Sequence, residues 1–431
     1  MTEDIHWRKY SARFRTFPKL IDGEMDQEVK MVICIPVCAE PDILSALESL
    51  MDCEFHAFKV EVIILFNGNS MFSPQELEQH KQSWLACTNW VSQHQKEGIK
   101  FLPVYLDLLP DPEGGVGWAR KIAMDEAARR LDPQGIIVCL DADCTVSGNY
   151  LQAIFQHFQD HKSCDAASIC IEHKLDHLGS NQRAAIIEYE LHLRYLINAQ
   201  HWCGHPFAYH TIGSAMAVRR KAYLDQGGMN TRRAGEDFYF LQKFIEVGGH
   251  MEINNAIVYP SARVSSRVPF GTGRAMQQIL DKGEEWITTD FEIFRSIKPL
   301  FHSLEKLRSF CMTNTNNDYQ KLQIEFELSE DIIHYLEQTE FIENCRSIAK
   351  HTASHQAFRK RFFRYFNAFR MIKYMHHLSD HFHPGVYVVD GVERLAKEMK
   401  WVIPDGSNAF DYLKLLRQTD REGNRNAQVK S

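Results

Sequence analysis

Short apolar runs alternate with stretches of helical spacing between residues 29 and 143. The runs are VKMVICIPV (29–37), VEVIILF (60–66), FLPVYLDLL (101–109) and GIIVCLDAD (135–143). Near-continuous apolar runs of this length are how strands buried on both faces read. After Pro41, Leu44, Leu47, Leu50 and Met51 recur at helical spacing, and Trp118 to Leu131 predicts a second helix opening at Gly117. The alternation predicts parallel strands joined by crossover helices, an α/β fold with an open, doubly wound, mostly parallel sheet. Ligands of such sheets bind outside the carboxyl ends of the strands, so the residues just after each run are the ones to inspect.

The pattern loosens over residues 164–270, where a run CDAASICI, a helix over Ala184 to Ala199, a strand SAMAVRR and a helix from Glu236 to Val247 are expected. From about Ala275 glycine is scarce and apolar residues follow helical spacing, as around Leu304 to Cys311 and Ile332 to Ile348. Three regions follow: an N-terminal extension 1–28, an α/β domain 29–275 and a helical C-terminal region 276–431.

Composition narrows this picture. The 431 residues exceed the roughly 100–200 of one domain, and 44% apolar with 24% charged residues suffices for a sizeable core. A net charge of -7 argues against nucleic-acid binding through bulk positive charge. Eleven cysteines lack framework spacing, and Cys34, Cys139 and Cys170 lie in apolar runs, which fits reduced thiols and a cytoplasmic protein. The start carries no secretory signal, and no run approaches the roughly 18 apolar residues of a membrane span.

Two segments depart from the acidic average. Residues 344–379 hold eight Lys or Arg and no Asp or Glu, with Phe358, Phe362, Phe366, Phe369 and Ile372 near helical spacing. Residues 5–21 hold five basic residues and no acid, with Trp7, Tyr10, Phe14 and Phe17 on one helical face. Such segments could lie peripherally on the inner, anionic membrane face or grip an acidic substrate. Alternatively, the aromatic stripes pack into the protein and the basic faces are solvated.

Candidate chemistry begins where GIIVCL runs into Asp141-Ala142-Asp143. Strand side chains alternate, so carboxylates at i and i+2 emerge on one side, where they can share a divalent cation. Hard oxygen ligands suit Mg²⁺ or Mn²⁺, which leave positions open for phosphate oxygens; a solvated acidic turn is the plain alternative. His201, His205 and His210 around Cys203 invite a zinc reading, but their spacing fits no structural zinc motif.

The other strand ends supply the context: Pro36-Val37-Cys38-Ala39-Glu40-Pro41, then Phe66-Asn67-Gly68-Asn69-Ser70, then Gly114-Gly115-Val116-Gly117-Trp118-Ala119-Arg120-Lys121. Gly213-Ser214-Ala215-Met216, Gly227-Gly228-Met229 and Gly235-Glu236-Asp237-Phe238 follow in order. With the paired aspartates, these features resemble the family 2 glycosyltransferases of the GT-A fold, across roughly residues 29–270.

The resemblance implies a hexosyltransferase that moves one sugar, with inversion, from a nucleoside diphosphate sugar to an acceptor hydroxyl on a lipid or glycan. It points to Pro36, Glu40 and Asn67 for the base, Asp143 for a Mn²⁺ or Mg²⁺ ion, and Asp141 for the ribose or the same ion. Arg120 would assist the diphosphate, and Gly213 and Ser214 would join the nucleotide-sugar site on the loop toward the acceptor. Asp237 would be the general base, with Glu236 holding sugar or acceptor. His210 is a further candidate for the acceptor pocket, with a buried structural histidine as the alternative. Arg263, Arg267 and the 269–274 loop would close over the diphosphate. No Q-x-x-R-W pattern follows, which argues against a processive polymer synthase. A sugar nucleotidyltransferase would show G-x-G-x-R where this chain has Pro36 to Glu40. A catalytically inactive GT-A scaffold is the other alternative, and the intact acids count against it.

Overall fold

The computed structural model describes residues 4–23, 26–70, 72–109, 115–264, 271–283, 285–404 and 406–423. The chain divides into two compact units, one made mainly of Met1–Asp176 with Thr211–Arg263, the other of His177–His210 with Phe270–Ser431.

In the first unit β1 (Val29–Val37), β2 (Lys59–Asn67), β3 (Ile99–Leu106), β4 (Ile136–Cys139), β5 (Thr145–Val146), β6 (Ala166–Ile171), β7 (Met216–Arg219) and β8 (His250–Tyr259) form one sheet. Its helices are α1 (Ile5–Ser11), α2 (Leu44–Met51), α3 (Pro74–Gln93), α4 (Val116–Arg130), α5 (Tyr150–Asp160), α6 (Arg220–Asp225) and α7 (Glu236–Ile245). The strand order is β3-β2-β1-β4-β7-β6-β8-β5. The pairings β3/β2, β2/β1, β1/β4 and β6/β8 are parallel, while β4/β7, β6/β7 and β5/β8 are antiparallel. The α/β class and mostly parallel sheet agree with the hydropathy pattern. The antiparallel β7 does not announce itself, because a four-residue buried strand has no direction legible in its side chains.

Register decides what meets at the carboxyl edge. Cys34 of β1 lies level with Ile63 of β2 and Cys139 of β4, so β4 ends first and β1 and β2 run on to Val37 and Asn67 beside the turn that follows it. Because β7 runs the other way, its first residue Met216 pairs with Cys139, which brings the Gly213-Ser214 turn beside Asp141. Strand β8 runs parallel to β6 with Val258 opposite Ile171, and the chain leaving it carries Arg263.

Helix α4 is buried from Gly117 to Ala128, charged residues included. The N-terminal segment straps across it. Tyr10 and Tyr223 each donate a hydrogen bond to Asp125 Oδ1 at 2.7 Å, Lys121 reaches Asp125 Oδ2 at 3.0 Å, and the backbone N–H groups of Leu20 and Ile21 donate to Glu126. Trp7 and Tyr10 are buried. Packing, not membrane exposure, is therefore what these two rings do.

The second unit is helical, with a two-stranded antiparallel patch pairing Ile287–Thr288 with Val386–Tyr387. The stretch around Ile332 to Ile348 forms two helices, Glu330–Gln338 and Phe341–Lys350, separated at Glu340 with its left-handed φ of 50°. Phe358, Phe362 and Phe366 are fully buried; each ring so placed contributes about 1.5–3 kcal/mol. Arg194 and Arg417 meet Glu190 and Asp420 in a buried network, with Arg417 Nη2 at 2.6 Å from Glu190 Oε2. Among the described residues no helix is long and apolar enough to cross a membrane, and all eleven cysteines are free thiols.

Candidate active site

Four turns converge at the carboxyl edge of the sheet, and two guanidinium groups tie them together. Arg120, in the first turns of α4 and only 4% exposed, reaches Asp141 Oδ1 at 2.5 Å with one nitrogen and Glu236 with the other. Arg263 makes a two-pronged pair with buried Glu40 and reaches Asp143 Oδ2 at 3.3 Å. Each aspartate of the Asp141-Ala142-Asp143 turn thus shares an arginine with a second, distant carboxylate.

Glycines permit these approaches. A Cβ on Gly213 would stand 2.5 Å from the Arg120 guanidinium, and one on Gly117 would stand 2.3 Å from the carbonyl oxygen of Arg232. The glycine-rich turn before α4 is therefore a packing requirement, letting the helix start against the 230–233 backbone. Asn230 completes that join by donating to the Glu236 carbonyl at 2.7 Å.

Glu236 and Asp237 are adjacent but differently placed. Glu236 is 2% exposed and bound to Arg120, whereas Asp237 is half-buried. Asp237 accepts from the Gly213 N–H at Oδ2 (2.8 Å) and from the Phe238 N–H at Oδ1 (2.7 Å), so its plane is fixed. Burial pushes both carboxyls above their ordinary range, and the Arg120 charge only partly reverses this.

Of the other expected residues, Pro36 is half-buried near the end of β1. Asn67 closes β2, and its buried Oδ1 accepts no hydrogen bond among the described residues. Ser214 is buried and hydrogen-bonded to Cys144. Arg267, with Gly114, Pro269 and Phe270, lies outside the described residues. His201, His205 and His210 belong to the second unit, where Cys203 donates to the Gln200 carbonyl and His205 Nε2 pairs with the Phe366 carbonyl.

Residues 136–281 match the family model described as glycosyl transferase family group 2. Over these residues, about a third of its length, the chain is similar to the family 2 glycosyltransferases. Among solved structures the chain is similar to TarS of S. aureus. For TarS 1-349 in complex with UDP-GlcNAc the identity is 12%, covering 79% of this chain and 93% of that one, with a TM-score of 0.36. For TarS 1-349 in complex with UDP the values are 14%, 79%, 92% and 0.33. Against a longer TarS chain the match has 16% identity and a TM-score of 0.31, and covers 55% of this chain and 36% of that one. No curated protein sequence matches the chain.

The transferase's acids can be tested against a divalent cation. No group of three or more His, Cys, Asp or Glu among the described residues converges as a metal cage. Mg²⁺ and Mn²⁺ need no such cage, since they take one or two carboxylates and complete their shell with water and phosphate. Asp141 and Asp143, with side chains 37% and 30% exposed, fit that demand.

Sequence reasoning missed two supports of the transferase site. Ala39, in the left-handed region at φ 46°, donates its N–H to Nδ1 of His80 at 3.2 Å, and Ser83 donates to the Glu40 carbonyl. Both supports lie mid-helix on α3, where nothing in their spacing marks them. Asn230 is equally silent. The Arg263–Glu40 pair joins residues 223 positions apart, which only the β1–β8 arrangement could reveal.

Proposed function

We propose that the chain transfers one sugar, with inversion, from a nucleoside diphosphate sugar to an acceptor hydroxyl, using a divalent cation and Asp237 as general base, with residues 29–275 as the catalytic domain. The observation that carries this reading is the Arg120 bridge between Asp141 and Glu236, which joins the paired-aspartate turn to the acidic pair at the start of α7. Carboxylates from turns almost a hundred residues apart meet at one sheet edge.

In this reading Asp141 and Asp143 hold a Mg²⁺ or Mn²⁺ ion, which when bound neutralises charge on the departing diphosphate. Arg120 keeps Asp141 and Glu236 at fixed spacing and adds positive charge beside the same leaving group. Glu236, saturated by Arg120, orients sugar or acceptor. Asp237, held by two backbone N–H groups and half-open, takes the proton from the acceptor hydroxyl as that oxygen attacks the anomeric carbon. A carboxyl raised by burial is a stronger base than a free aspartate, and its lifted pKa sets an acid limb in the rate profile. Asn67, with an unused buried acceptor at the end of β2, accepts a hydrogen bond from an N–H or O–H of the nucleotide.

A thermal-shift series of UDP, GDP, CDP and dTDP, with and without Mn²⁺, tests the donor site. A ligand at about 100 times its Kd adds roughly 2.7 kcal/mol to a folded protein that alone binds it. A metal-dependent shift with one nucleotide, absent in Asp143→Asn, is expected. Failure of every nucleotide to shift the wild type would overturn the reading in favour of a nucleotide-free scaffold.

A further inference from the structure

The helical unit carries a basic face that nothing in the transferase reading uses. Residues 344–379 contain eight Lys or Arg and no acid, in a chain of net charge -7. Three of the eight are half-buried. Arg346 donates to Asn314, Asn316 and Asn317, Arg370 donates to the Tyr365 hydroxyl at 3.0 Å, and Arg359 covers the Phe363 ring at 5.1 Å. The other five, Lys350, Lys360, Arg361, Arg364 and Lys373, are exposed, Arg361 also donating to the His351 carbonyl at 2.8 Å, and none forms an ion pair among the described residues.

Their arrangement is not scattered. On helix His355–Tyr365 the rings of Phe358, Phe362 and Phe363 point inward, and Lys360, Arg361 and Arg364 share an arc of about 100° on the outer side. The next helix, Ala368–His381, opens with Phe369, which is 43% exposed, and Lys373 one turn on stands 4.7 Å from its ring. Unpaired cations flanked by an exposed ring suit an anionic bilayer, where lysine and arginine meet lipid phosphates and the aromatic enters the headgroup layer. A duplex nucleic acid would use the cations but leave the ring idle, and an acidic protein would pair with the charges one by one.

We infer that the outer face of helix His355–Tyr365, continued by Phe369 and Lys373, docks the protein on an anionic phospholipid surface. The N-terminal basic segment takes no part through its inner rings, since Trp7 and Tyr10 are buried in the sheet unit.

Co-sedimentation of the full chain with phosphatidylcholine vesicles, with and without phosphatidylglycerol, tests this. No nucleotide is present, so the result is independent of whether the transferase reading survives. The wild type should partition onto anionic vesicles only, more weakly as salt rises. Replacing Lys360, Arg361 and Arg364 together by Gln should lower the partition on the order of a hundredfold, with the thermal midpoint kept, because each cation near such a surface contributes about fivefold. Phe369→Ala should weaken binding at every salt concentration. Absence of sedimentation, indifference to anionic lipid, or a triple variant that binds like wild type would overturn the inference. So would wild-type binding to vesicles that a short RNA competitor removes while Phe369→Ala changes nothing, since that assigns the face to a polyanion.

Discussion

Buried charge is handled oppositely in the two units. In the helical unit Glu190 and Asp420 meet Arg194 and Arg417, two carboxylates against two guanidiniums, with Glu190, Arg194 and Asp420 almost wholly excluded from solvent. At the sheet edge Glu40, Asp141, Asp143, Glu236 and Asp237 meet Arg120 and Arg263 among the described residues, and several stay partly open. A balanced, sealed cluster has nothing left to bind. An acidic edge with solvent access suits the divalent cation of the proposed reading. Burial is the main cause of the raised carboxyls of Glu236 and Asp237 at that edge.

The strongest way to break this contrast is Asp237→Asn. Transfer should fall by about 10²- to 10⁴-fold with the thermal midpoint unchanged or raised, because burial opposes this charge. A parallel loss of stability would make Asp237 a structural residue. Next in size come the arginines. Arg194→Met and Arg120→Met each strand buried carboxylates and should cost about 3–5 kcal/mol in denaturant unfolding. Only Arg120→Met should also weaken nucleotide binding, and equal binding losses in both would erase the distinction.

Smaller still, Gly213→Ala places a methyl 2.5 Å from the Arg120 guanidinium and should lower activity or stability by about 1–3 kcal/mol. Gly148→Ala, where nothing lies within 4 Å, is the matched control and should change little. Acid acts on both units at once. Burial holds His205 and His250 down to about 3, and His157 and His192 down to about 4, from an ordinary 6.5. The folded state therefore binds fewer protons than the unfolded one below pH 6.5. Stability is full above that value and falls as pH drops from 6.5 toward about 4, by up to about 1.4 kcal/mol per pH unit for each histidine. Unfolding curves of His205→Leu against pH should show a shallower acid slope; an unchanged slope would remove His205 from the account.

Much of the sheet was legible because strands buried on both faces have few polar positions to blur them. Strand β1 occupies the run that the apolar pattern marks, and α2, α4 and α7 begin within two residues of their signals or at the capping turn. The residues of the site were legible as types, since carboxylates and glycines at strand ends stand out from apolar surroundings. Their pairing was not. That Arg120 bridges Asp141 to Glu236, or that Arg263 serves Glu40, depends on the antiparallel entry of β7 and the place of β8 in the sheet.

The amphipathic segments divide along the same line. Periodicity alone located the aromatic stripes of residues 5–21 and 344–379, because a ring every three or four residues puts them on one side of a helix. It could not say which rings are inside: Tyr10 closes on Asp125, whereas Phe369 stays exposed. By itself the sequence determined most element types and the chemical kinds of residue at the strand ends, because these follow from local periodicity and composition. The tertiary structure alone decided which charges meet, which remain uncompensated and which face is left open, because those depend on strand order and register between residues far apart in the chain.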